Sequence, residues 1–176
     1  MMKSMTSQKM SYCLLLSMAI ILVLTKSSEA QGTVPMSPYC KICTIPNLCN
    51  KVVNGATNWK EAMVKSIDAC TEIAYRIQNV TNNILPQITG VEPQTKTAIQ
   101  DTCKEAMNNA VSDLQEAMKA LNKNDPGSML TNLASLHTDC ADALEQFDIK
   151  FLPLTKVVGR YIKYMSVALS VAQTPQ

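Results

Sequence analysis

Few side chains in this sequence could do chemistry: there is one histidine, His137, and a set of cysteines. Catalysis needs a base or nucleophile held against an orienting partner. A serine, histidine and acid arrangement would rest on His137 alone, and the chain carries neither a Gly-x-Ser-x-Gly elbow nor a glycine-rich phosphate loop. Cys40-x-x-Cys43 followed by Cys49 has the spacing of zinc ligands, because two thiolates two residues apart can share a tetrahedral ion. It has no second pair or histidine nearby to complete the set. Glu-x-x-His pairs, which hold metals inside helical bundles, are also missing. The expectation is a protein that is not an enzyme, with no catalytic residue, no metal and no cofactor.

The start of the chain indicates where the cysteines end up. Lys3 and Lys9 precede an apolar run from Cys13 to Leu24, and Ser28-Glu29-Ala30 places small residues at the −3 and −1 positions of a cut. Residues 1–30 therefore read as a secretory signal peptide, too short in its apolar part to span a bilayer. Its removal leaves 146 residues, 31–176, the size of one domain. Thirteen basic and thirteen acidic side chains remain, so the surplus of positive charge that a nucleic-acid binder uses to displace counterions is absent. No later segment is apolar for long enough to span a membrane. Cys40, Cys43, Cys49, Cys70, Cys103 and Cys140 stay in an oxidising compartment, where disulfides are the default, although spacing alone selects no pairing.

The elements that position these residues read as helices, because Ala, Leu, Met, Lys, Glu and Gln dominate after Pro46. Trp59, Met63, Ile67, Cys70, Ile73, Ile77, Val80 and Ile84 fall at steps of three or four from an Asn58 cap, and Pro86 and Gly90 close that helix. Ile99, Cys103, Ala106, Ala110, Leu114, Ala117 and Leu121 form a second stripe, with Lys104, Asn108, Ser112, Gln115 and Lys119 on the opposite, solvated face. Asp125-Pro126-Gly127 caps a third helix through Met129, Leu130, Leu133, Leu136, Cys140, Leu144 and Phe147. Pro153 opens a fourth, read from Leu154, Val157, Val158, Tyr161, Met165, Ala168 and Leu169. Short links between long amphipathic helices imply an all-α, up-and-down four-helix bundle over 58–173. Residues 38–57, broken by Pro38 and Pro46, read as a disulfide-held arm of short helical pieces, and Gln31 to Ser37 as a loose link. Met107, Met118, Met129 and Met165 fall mostly on apolar stripes and read as core filling. Asn79-Val80-Thr81 is a glycosylation sequon off the apolar stripe, which makes Asn79 a candidate acceptor.

The run from Cys40 to Cys49 (Cys-Lys-Ile-Cys-Thr-Ile-Pro-Asn-Leu-Cys) resembles the opening motif of the plant invertase and pectin methylesterase inhibitor family, with Ile45 where that motif has Tyr. Cys103-Lys104-Glu105-Ala106-Met107-Asn108-Asn109-Ala110-Val111 with Leu114 is similar to the family's second motif, Met107 and Asn109 standing for Tyr and Asp. Thr138-Asp139-Cys140-Ala141-Asp142-Ala143-Leu144 resembles its third. The ordered set covers the chain from Cys40 to the last helix. The resemblance implies a four-helix bundle with an N-terminal helical hairpin and disulfides Cys40–Cys49 and Cys103–Cys140. It also implies one-to-one inhibition of a cell-wall or vacuolar enzyme of carbohydrate metabolism, by a secreted protein that is monomeric before binding and resides in the apoplast. Cys43 and Cys70 lie outside the family pairs, and parity suggests a third bridge between them. Invertase-directed members carry a Pro-Lys-Phe element in the link between the third and fourth family cysteines, and 121–128 lacks it. That favours pectin methylesterase over acid invertase as the target, while Pro153-Leu154-Thr155 resembles a segment of invertase-inhibitor-like members. Lys104, Asn108, Ser112 and Gln115 are the candidate contact residues. The competing classes are a carrier of apolar ligands, which the missing Cys-Cys and Cys-x-Cys pairs disfavour, and a signalling bundle with a receptor partner.

Overall fold

A computed structural model describes residues 35–87, 89–135 and 139–174. The leader expected over 1–30, together with Leu136, His137 and Thr138, lies outside the described residues. Among the described residues six α-helices follow a short 3-10 turn at Pro38–Cys40: α1 Pro46–Val52, α2 Trp59–Asn83, α3 Pro93–Asn122, α4 Pro126–Ala134, α5 Asp139–Gln146 and α6 Leu152–Ala172. The expected all-α bundle is what the chain forms. α2 packs on α3 and α6, α3 packs on α4 and α5, and α6 closes the ring against α4 and α5.

Local chemistry sets the helix starts. Asn58 Oδ1 accepts the Glu61 amide at 2.9 Å, while the Glu61 carboxylate accepts from the Thr57 amide at 2.8 Å and hydroxyl at 2.9 Å. The first of these engages an amide that the first turn leaves without a helical partner, and the two from Thr57 hold the Glu61 carboxyl below its usual range. Asp125 caps α4 in the same way, accepting the Ser128 amide at 3.0 Å and hydroxyl at 2.6 Å. Pro46, Pro93, Pro126 and Pro153 each sit in the first turn of their helix, where a missing N–H costs nothing.

The stripes converge as their spacing predicts. Met63, Ile67, Ile77, Ile99, Met107, Leu114, Met129, Leu133, Leu154 and Tyr161 are all buried to 1 % exposure or less. Removing each such side chain from water contributes roughly 1.5–3 kcal/mol before conformational entropy is charged against it. The indole of Trp59 donates to the Val171 carbonyl at 2.9 Å, pinning the start of α2 beside the end of α6 and setting their antiparallel register.

Three expectations need correction. The third helix is not continuous. It stops at Ala134, where the Ser135 hydroxyl bonds to the Asn132 carbonyl at 2.8 Å and to Asp113 Oδ2 at 3.0 Å, and a separate helix starts at Asp139. Leu130 and Phe147, expected on the apolar stripe, are 36 % and 41 % exposed, because Met129 and Leu133 set the inward face of α4 and Phe147 follows the last residue of α5. At the end of α2 the buried role passes from Ile84 to Leu85, because Ile84 ends the helix and a 3-10 turn over Leu85–Gln87 swings the next residue inward. Ser37, placed by sequence in a loose link, is tied down: its amide donates to Asn50 Oδ1 at 2.8 Å and its hydroxyl caps the first 3-10 turn.

Candidate protein-binding surface

The arm is a short hairpin closed on itself by Cys40–Cys49, whose Cα atoms are 5.7 Å apart. It rests on α6 and α2, with Thr44 and Ser166 hydroxyls 3.4 Å apart and the Thr174 hydroxyl donating to the Tyr39 carbonyl at 3.2 Å. A second bridge, Cys103–Cys140, joins α3 to α5. An eight-residue helix such as α5 is marginal alone. The covalent tie and the burial of Ala143 and Leu144 hold it on α3.

Cys43 and Cys70 do not form the third bridge; both are buried free thiols. The reason is register. The Trp59–Val171 contact places Cys70 level with about residue 160 of α6, whereas Thr44, next to Cys43, meets Ser166. At about 1.5 Å of rise per residue those two levels lie roughly 9 Å apart along the bundle, whereas a disulfide needs its Cα atoms within ~7 Å of each other. Burial pushes the Cys70 thiol up to about 12. The neighbouring Tyr161 phenol is also raised, first by burial and then by Cys70 and Asp113, and its hydroxyl has no hydrogen-bond partner among the described residues.

Lys104, Asn108, Ser112 and Gln115 all lie exposed on the outer face of α3, within about 17 Å along the axis. Asn108 Oδ1 accepts from Gln78 Nε2 of α2 at 2.8 Å, so the face is continuous with the adjoining side of α2. Sequence reasoning missed Tyr75, one turn before Gln78, which leaves half of its surface exposed. An exposed aromatic beside a flat polar helix face is the type of residue that anchors protein interfaces. Its signal was available, since it falls off the stripe formed by Ile73 and Ile77. Asn79 is exposed in the last turns of α2, where Asn83 donates to its side chain. Among the described residues no cluster of His, Cys, Asp and Glu could hold a metal ion, and no helix is long and apolar enough to cross a membrane.

The described residues thus form a doubly bridged helical bundle that presents a polar, exposed face on α3. The chain belongs to the plant invertase/pectin methylesterase inhibitor family, whose model matches residues 36–172. In solved structures it is similar to a mutant form of a pectin methylesterase inhibitor from Arabidopsis, with 19 % identity and a TM-score of 0.67 over 80 % of this chain and 97 % of that one. It is also similar to a pectin methylesterase inhibitor from Arabidopsis thaliana, with 21 % identity and a TM-score of 0.55 over 82 % and 99 %. At that identity the likeness establishes the fold. No curated protein sequence matches the chain.

Proposed function

We propose that the protein is a secreted inhibitor of a plant pectin methylesterase, which it meets one-to-one by laying the outer face of α3 across the enzyme's cleft. Membership of an inhibitor family supports the inhibitory role. The feature favouring the esterase is the link between α3 and α4. It is a tight turn, with Asn124 in the left-handed region at φ 55° and Asp125 capping α4, and it projects no basic-aromatic element that could enter a sugar pocket. Docking then relies on a preformed helix face. The Cys103–Cys140 bridge ties that helix to α5 before binding, so little conformational entropy remains to be lost. Residues 1–30 act as the leader, 31–176 as the inhibitor, and Asn79 carries the glycan when the sequon is used.

The test is direct. The full chain is expressed in a secreting eukaryotic host and the product is titrated separately against a plant pectin methylesterase and an acid invertase. The esterase should lose activity at a near-equimolar ratio and the invertase should keep it. Inhibition of invertase alone would move the reading to the other branch. If neither responds, the inhibitory role is wrong.

A further inference from the structure

The near-neutral chain is sharply divided in charge once folded. Residues 31–60 and 149–176 carry seven basic side chains and no acidic one, whereas 61–148 carry six basic against thirteen acidic. The two basic segments are far apart in sequence, and the fold brings them together because the arm packs on α6. Where α1 meets α6 they enclose an open groove of about 620 Å³. Its rim carries Lys51 from α1 and Lys156, Arg160 and Lys163 from α6, all exposed. No carboxylate pairs with these four among the described residues. Its floor is half-buried, formed in part by Leu48 and Tyr164. Lys156, Arg160 and Lys163 succeed one another over about 10 Å of helix.

We propose that this groove binds a polyuronate chain, the acidic polysaccharide left when methyl esters are removed from pectin. The choice of occupant rests on the reading that a pectin methylesterase is the target. Such an enzyme converts neutral esters to carboxylates, so its product is a polymer with repeated negative charge. A row of unpaired cations complements that charge, and the phenol ring of Tyr164 with the Leu48 side chain offers an apolar platform for sugar faces. The still-esterified polymer lacks the carboxylates and binds weakly. The inhibitor is thereby retained where de-esterification has already occurred, through a surface separate from the outer face of α3.

The experiment measures binding of the secreted full-chain product to polygalacturonate by calorimetry at low salt, without enzyme. Saturable binding that weakens as salt is added is expected, with highly methyl-esterified pectin at least about tenfold weaker. The variant K51Q/K156Q/R160Q/K163Q should bind polygalacturonate about tenfold or more weakly. It should keep its helical circular dichroism and its titre against the esterase. The control R76Q/K119Q/K123Q, which removes positive charge elsewhere, should bind like the parent. Equal binding of the esterified polymer, unchanged binding by the groove variant, or equally tight binding of a DNA oligonucleotide would each overturn the proposal. So would loss of esterase inhibition in the groove variant with polymer binding intact. Parent protein that inhibits but ignores polygalacturonate removes the groove alone. Parent protein that binds the polymer but inhibits no esterase removes the inhibitor reading alone.

Discussion

Replacing Cys103 and Cys140 together by alanine tests how the third element of the bundle is held. The bridge closes a loop of 37 residues that runs through most of α3, the turn at Asn124 and the whole of α4. In the chain-entropy account, a closure of that length removes about 4 kcal/mol of unfolded-state freedom at 25 °C, against about 2.5 kcal/mol for the nine-residue loop of Cys40–Cys49. Both sulfurs are buried, so their removal also forfeits packing. A domain of this size has about 5–15 kcal/mol in total, so the double variant should keep its fold with a much reduced margin. Urea unfolding followed by far-ultraviolet circular dichroism should show the midpoint falling by roughly 2 M. The slope should rise slightly, because the unfolded chain becomes more extended. The Cys40→Ala/Cys49→Ala variant should lose less. A loss below about 1 kcal/mol for the long loop, or a larger loss for the short one, would refute the argument that the bridge matters through the length of chain it closes.

Tyr161→Phe deletes a buried hydroxyl that has no partner among the described residues, and it should leave stability unchanged or raise it by up to about 1 kcal/mol in the same assay. Trp59→Phe removes the hydrogen bond to Val171 and should cost about 1–2 kcal/mol, with faster amide exchange at the end of α6. Iodoacetamide should label neither Cys43 nor Cys70 in the native protein and both after unfolding without reductant, read by mass spectrometry; a protected pair would mean that they are bridged. For Asp125 the folded pKa lies below the unfolded one, so its capping contribution is complete above the ordinary aspartate value of about 4 and is lost as pH falls through the lower, folded value. The stability gap between the parent and Asp125→Ala should therefore be constant from about pH 5 upward and close in strong acid, as followed by thermal unfolding.

Much of the bundle was legible because its determinants are local. The stripe from Ile99 to Leu121 is buried throughout, and the Asn58 and Asp125 caps form as their residue types suggest. The stop at Ser135 was not legible. The apolar spacing continues across it, and the bond that helps fix the end comes from Asp113, 22 residues earlier. The four proposed contact residues could be read as exposed from periodicity. Tyr75 left one trace, an aromatic off the stripe of Ile73 and Ile77, which a search for periodic signatures passes over.

By itself, the sequence determined which segments become helices, where most of them start and which faces they bury, since apolar period and capping act within a few residues. The tertiary structure alone decided the rest. Packing leaves Cys43 of the arm and Cys70 of α2 as two buried thiols, because a disulfide requires a close Cα approach that only the fold can supply. Packing of the arm on α6 gathers Lys51 with Lys156, Arg160 and Lys163 into one basic groove on a chain that is near neutral as a whole. Charge sums are blind to position, and only the fold sets the distances over which charges act.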